Sequence, residues 1–299
     1  MRVQPECLVC MMQQTLRVAR MSSDDVRVHW ESLREVGGGI AGMDPGKSPA
    51  VLSLALYETV RRLSGVRDPY AEAKRAQNET ALAIEDELRA MVRSADDPLD
   101  MALRLAAAGN VIDLGVLRAE HIDIREAVDR ALSGGFAVDE TQAFRERLAQ
   151  SRDMLYLLDN AGEIVFDKIL IELLCRDRSV TAVVKAGPII NDACMEDARM
   201  VGLDRVCPVI DCGGAYVGCP LDLIPTSFRD RLDRAGLVLA KGQGHYETLD
   251  AYDGPAAVFV MLKAKCGVVA RHAGVKAGDL IFKRCNAAPA GQNVPAQLS

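Results

Sequence analysis

No run in this chain approaches the roughly 18 consecutive apolar residues that a membrane-spanning helix requires. Nor is there an excess of positive charge. The 36 lysines and arginines stand against 42 aspartates and glutamates, a net charge of −6, whereas a sequence-independent nucleic-acid binder needs a basic face. The opening residues, MRVQPECLVC, lack the apolar core of a secretory signal. Nine cysteines, odd in number and scattered, do not form a disulfide framework and fit a reducing cytoplasm. No internal repeat is visible, and the single tryptophan, Trp30, is expected to anchor a core rather than to stack on bases. These absences predict a cytoplasmic protein with neither nucleic acid nor membrane as partner. What remains is 299 residues, 49% hydrophobic, enough for a substantial core in one large domain or two smaller ones.

Two halves differ in their patterning. In the first, Pro5, Pro49, Pro69 and Pro98 stand where helices can start, three of them after the capping residues Ser48, Asp68 and Asp97. Gly65 and Gly109 stand where left-handed caps would end helices, and Gly37 to Lys47 reads as a loop. Leu8, Met12, Leu16 and Ala19 recur at helical spacing, as do Ile84, Leu88 and Met91. Asp139 to Gln150 reads as the last helix of this half.

From Met154 short aliphatic runs appear at LYLLD, TAVVKA, VCPVID, GLVLAKG, VFVML and DLIF, with helical segments at 162–176, 192–202 and 227–235. Strands alternating with helices imply a mostly parallel sheet covered on both faces. The expected fold is α/β, a helical N-terminal part followed by a three-layer α/β/α sandwich. Its expected divisions are 1–150, 151–286 and a flexible tail at 287–299.

Ligands of open parallel sheets bind beyond the carboxyl ends of the strands. The residues after the proposed strands are Asp159-Asn160, Lys185, Asp211 and Lys241, and Asn191-Asp192 opens the helix after Lys185. Carboxylates and amides can hold a hard metal ion, and lysines can neutralise phosphate oxygens. Asp192 also suits a helix cap, and Glu163 also answers the helix dipole. The start of the helix at Gly162 is expected to offer backbone N–H groups to an anion.

Three blocks in this order, DNAGEIVFDKILIE, VKAGPIINDACMEDA and LAKGQGHYETL, resemble the metal-dependent damage-control phosphatases, once grouped as domain of unknown function 89. CLVCMMQQ, PYAEAKRAQNETAL, LAAAGNVIDLG and LKAKCGVVARHAGVKAGDLI extend the resemblance over nearly the whole chain, and Cys7-x-x-Cys10 points to the CxxC-bearing prokaryotic-type branch. The resemblance implies a divalent cation (magnesium, manganese, cobalt or nickel) held by Asp159, Asn160 and Asp192, with Lys241 binding the phosphate. It also implies that Lys185, Asn191, Asn110, Asp113 and Glu163 line the substrate pocket. One departure is DCGGAYVGCP, whose Cys212 and Cys219 stand where a Gly/Thr/Pro-rich loop is expected.

The expected activity is cation-dependent hydrolysis of phosphate monoesters of small metabolites, sugar phosphates or damaged phosphometabolites. A non-catalytic sensor of a phosphorylated metabolite would use the same pocket and is the alternative. Asp159 or Asp192 could serve as base, or Asp159 as covalent nucleophile; the sequence leaves these open. Cys7 and Cys10 share a helix face, either as a reduced pair or as a structural or redox-sensitive site. GMDPGKS is one residue short of a phosphate loop and follows no strand, and GGAYVG lacks dinucleotide-binding spacing. His245 is read either as a substrate contact or as a solvated loop residue, and His29, His121 and His272 as lacking partners.

Overall fold

The computed structural model describes residues 1–109, 128–129 and 133–285. Helices α1 (Pro5–Ser22), α2 (Val26–Gly39), α3 (Pro49–Ser64), α4 (Ala71–Ala83), α5 (Glu85–Ser94) and α6 (Pro98–Ala108) make up the amino-terminal part. Proline begins α1, α3 and α6, where a missing N–H costs nothing. Ser48 and Asp97 cap α3 and α6 by accepting from Val51 and Asp100 N–H, and Gly65 closes α3 at φ +71.

Four local expectations fail for identifiable reasons. Asp68 accepts from Tyr70 N–H in a turn, so α4 begins two residues past Pro69. The loop after Gly37 is shorter than expected, because α2 runs through the glycines and a 3-10 turn, Ile40–Gly42, follows. Gly109 has φ −55 and is not a left-handed cap; a Cβ there would stand 3.0 Å from the Phe166 ring, so a side chain would fit only if Phe166 shifted by a few tenths of an ångström. Trp30 is 72% exposed, since α2 buries Ser32 and Val36 and turns Trp30 to its far side.

A seven-stranded sheet has the order β1 (Phe136–Asp139), β7 (Leu280–Arg284), β6 (Ala257–Lys263), β5 (Leu237–Lys241), β2 (Asp153–Leu157), β3 (Ser179–Val184), β4 (Val209–Asp211). From β6 to β4 all neighbours are parallel; β7 runs antiparallel to β6, and β1 parallel to β7. The edge strand β1 precedes α7 (Thr141–Gln150), which Asp139 starts by accepting from Thr141 N–H. The other helices are α8 (Glu163–Leu174), α9 (Met195–Met200), α10 (Thr226–Arg234), α11 (Gln243–Leu249) and α12 (Gly267–Ala273).

Side chains alternate across the strands. Met154, Tyr156, Leu237 and Leu239 face a core closed by α5 to α8, and Leu155, Leu157, Val238 and Ala240 face one closed by α10 to α12. This is the expected three-layer α/β/α sandwich with a helical amino-terminal part. Helices α1 to α3 pack around two smaller clusters, one of which includes Cys7 and Cys266. Among the described residues no helix is long and apolar enough to cross a membrane.

The chain leaves β2 for β3 and β4 on one side, then returns to add β5 on the other. The carboxyl ends of β2 and β5 therefore flank a topological switch point, where the connecting loops part and leave a crevice.

Candidate active site

Two crossover loops are stitched together beyond the ends of β2 and β3. Ala193 N–H donates to Asp159 O (2.7 Å), Ala161 N–H to Asn191 O (2.9 Å), and Lys185 N–H to Ala193 O (2.9 Å). These bonds bring Asp159, Asn160, Asn191 and Asp192 to one cleft of about 400 Å3, within the range of small-molecule sites. Arg17 of α1, Tyr70 just before α4 and Gln77 of α4 also line it.

Asp159 and Asp192 are 8% and 4% exposed, so their charges sit largely out of water. Burial, and then the nearby Glu163, push the Asp159 carboxyl up to about 6. Burial pushes Asp192 up to about 8; Lys185 opposes this, and the Asp159 charge adds to it. Asn160 Nδ2 donates to Asp159 Oδ2 (2.7 Å) and Glu163 Oε2 (3.1 Å), which leaves its amide oxygen for another ligand. Gly242, at φ +88, comes so close that a Cβ would lie 2.0 Å from Asp159 Oδ2. The β5 loop thus presses on the carboxylate across the switch point, and only glycine allows it.

Two buried carboxylates and an amide oxygen are hard donors that suit magnesium or manganese, and a dication would offset the cost of burying both charges. Among the described residues no cluster of three His, Cys, Asp or Glu side chains forms a complete cage. A cation here would therefore keep several water ligands, as magnesium does in protein sites.

Lys241 is not turned toward this cleft. It continues the parity of Leu237 and Leu239, so its side chain enters the core beneath α6 and α8. Its Nζ donates to Ala106 O (2.8 Å), Glu163 Oε1 (2.7 Å) and Asp167 Oδ1 (2.6 Å), which uses all three donors. Burial disfavours the ammonium, yet Asp167 and Glu163 more than offset this and hold its pKa above the ordinary lysine value. In this geometry Lys241 fixes Glu163, which in turn fixes Asn160.

Lys185 Nζ donates to Gly218 O (2.6 Å) and His245 Nε2 (3.3 Å), with Asp192 Oδ2 at 3.6 Å. His245 is buried, not a solvated loop residue. Its Nδ1 bonds to the Lys241 carbonyl (2.6 Å) and must carry the proton, which leaves Nε2 as acceptor. Burial and the adjacent Lys185 hold its pKa well below the ordinary value, so it is neutral.

Other expected residues fall elsewhere. Asn110, Asp113 and His121 lie outside the described residues. Asp211 is exposed and accepts from Gly213 N–H. The N–H groups of Ala161 and Gly162 are already accepted by Asn191 O and Asn78 Oδ1, so they are not offered to an anion. Cys212 and Cys219 are buried in the core under α10 and α11. Cys7 is buried, Cys10 exposed. His29 and His272 do have partners, Ser23 O and the Tyr246 hydroxyl, both at 2.7 Å.

The structure adds Lys265, Glu247 and Gln243 to the cleft. Lys265 is exposed, and its charge acts on both Asp159 and Asp192. It lies two residues past the end of β6, the neighbour of β5, so the strand-end rule extended to the VFVML run points to this edge but falls on Lys263 first.

The chain is similar to known proteins over nearly its whole length. The family described as damage-control phosphatase ARMT1-like domain matches residues 3–281. Damage-control phosphatase PH1575 of Pyrococcus horikoshii is 33% identical over 287 residues, covering 95% of this chain and 98% of that protein. A damage-control phosphatase of Archaeoglobus fulgidus is 33% identical over 290 residues, covering 95% and 99%. The crystal structure of a DUF89 family protein from Pyrococcus horikoshii superposes with a TM-score of 0.86 at 32% identity, covering 96% of this chain and all of that one.

Proposed function

This chain belongs to the damage-control phosphatase ARMT1-like family, and from that premise we propose that it is a divalent-cation-dependent hydrolase of phosphate monoesters of small metabolites. The observation that carries the proposal is the meeting of Asp159, Asn160 and Asp192 from two stitched loops in one cleft, with Lys265 beside them.

A phosphate monoester resists hydrolysis because its oxygens repel an incoming nucleophile. A cation bound by Asp159, Asn160 and Asp192 would neutralise those oxygens and lower the pKa of a bound water. The chain's own residues supply the rest. Lys265 takes the part expected of Lys241, an ammonium facing the phosphoryl group where charge redistributes. Lys185 holds Asp192 in place, while Lys241 and Glu163 hold Asn160. Water entering between the two aspartates meets a carboxylate on either side to take its proton. Helices α1 and α4 limit the access of further solvent.

Hydrolysis of an aryl phosphate is expected to fall at least a hundredfold in excess chelator and to return with magnesium, manganese, cobalt or nickel. Turnover indifferent to chelator would overturn the cation requirement. Saturable phosphate-ester binding without turnover would identify a sensor instead. Lys265→Ala is expected to lower kcat/KM at least tenfold with little effect on stability, since the side chain is exposed. Lys265→Arg should restore part of that loss, and steady-state kinetics of the two variants would check it.

A further inference from the structure

Beside the cleft lies a second space of about 240 Å3, roughly eight water volumes at about 30 Å3 each. Val60, Tyr57 and Tyr70 supply apolar wall, and Arg61 and Arg67 stand among the residues that line it. Tyr70 and Ile190 line both spaces, so the two meet along one shared partition.

Ile190 is unusual in its backbone. It has φ +45, the one positive value at a non-glycine position among the described residues, and a β-branched side chain makes that conformation costly. Its side chain packs against the cluster of Val18, Ala19, Val60 and Tyr70, which holds the strained turn in place. The next two residues are Asn191 and Asp192. One kink therefore points Ile190 into the partition and delivers Asn191 and Asp192 to the cleft.

The charged groups that line the second space are two guanidinium groups, Arg61 and Arg67, and two carboxylates, Glu58 and Asp68. Arg61 and Arg67 are exposed and have no ion-pair partner among the described residues. Asp68 is paired with Lys74 (3.5 Å), which leaves two guanidinium groups facing the single carboxylate of Glu58.

We propose that this space receives the non-phosphorylated end of the substrate, so that the enzyme prefers phosphate monoesters with an extended, partly apolar body ending in an anionic group. The inference rests on the phosphatase reading above and deepens it. The phosphate occupies the cleft, the body passes Tyr70 and Ile190, and the distal anion meets Arg61 and Arg67.

The test is hydrolysis kinetics with the full chain in magnesium on a matched pair of esters. One is a short glycerol-sized phosphate. The other carries an aromatic amide ending in a carboxylate. The long ester is expected to have at least a tenfold higher kcat/KM, mainly through KM. Ser22→Phe, which fills the second space from the end of α1, should reduce that preference at least tenfold. The double variant Arg61→Ala with Arg67→Ala, at exposed positions, should do the same and should abolish discrimination between a carboxylate and a neutral amide terminus. Equal kcat/KM for both esters, or a preference that survives both variants, would overturn the inference while leaving the phosphatase reading intact. Absence of cation-dependent turnover on either ester would strike that reading itself and take the inference with it.

Discussion

Asp159→Ala is expected to lower kcat at least a thousandfold while the chain stays folded. The carboxylate is 8% exposed, and burial with the nearby Glu163 pushes its pKa up to about 6, so its charge costs the apo fold stability. Removing it relieves that cost and leaves a small gap, and the thermal midpoint should be unchanged or raised. Activity behaves differently. The side chain is one of two carboxylates through which the cleft can hold a dication, and electrostatic contacts of this kind are worth about 3 kcal/mol each, or two to three powers of ten. Loss of cation affinity multiplies that effect. Gly242→Ala gives an independent check, because it keeps the carboxylate and moves it. The new Cβ would overlap Asp159 Oδ2 and would sit at φ +88, where a side chain is strained. Kinetics, circular dichroism and calorimetric cation titration should thus find both variants folded, weak in cation binding and nearly inactive. Wild-type turnover in Asp159→Ala would remove the site from this cleft.

The site was legible in the sequence to the extent that it is local. Asp159-Asn160 and Asn191-Asp192 each follow an aliphatic run and precede a helix, and the sheet brings such junctions to one edge whatever the tertiary details. The direction of Lys241 was not legible in this way. Its parity with Leu237 and Leu239 is in the sequence, but which sheet face lies under α6 and which lies under the cleft is set by packing more than a hundred residues apart, as with the Ala106 carbonyl. Lys265 was missed because it stands two residues beyond β6, after Lys263 and Ala264, rather than directly at the strand end. Strand β1 was missed, with only its last residue, Asp139, inside the expected helix, because FAVD is short and half-exposed at a sheet edge. The exposure of Trp30 had no local signal beyond its position opposite Ser32 and Val36 on α2.

Lys241→Met is expected to destabilise the chain by about 3 to 5 kcal/mol, because breaking a buried ion pair from one side strands the charges on the other. Here those charges are Glu163 and Asp167, both fully enclosed, and Met fills the space without replacing the three hydrogen bonds. The deficit should depend on pH in a definite direction. Burial pushes Asp167 up to about 7, with the Lys241 ammonium as the main opposing influence, against roughly 3.9 for an unfolded aspartate. Between those values the folded chain keeps a proton that the unfolded chain has released, so stability falls as pH rises through the window. Without the ammonium the folded pKa climbs further, and the window extends above 7. The gap between variant and wild type should therefore be larger at pH 8.5 than at pH 5.5, as read from denaturant midpoints. Activity should fall as well, even in the folded fraction, because Lys241 holds Glu163, Glu163 accepts from Asn160, and Asn160 donates to Asp159. A variant as stable as wild type at pH 8.5 would mean that the two carboxyl groups are already neutral in the native protein. The chain of contacts from the core to the cleft would then carry no charge to transmit.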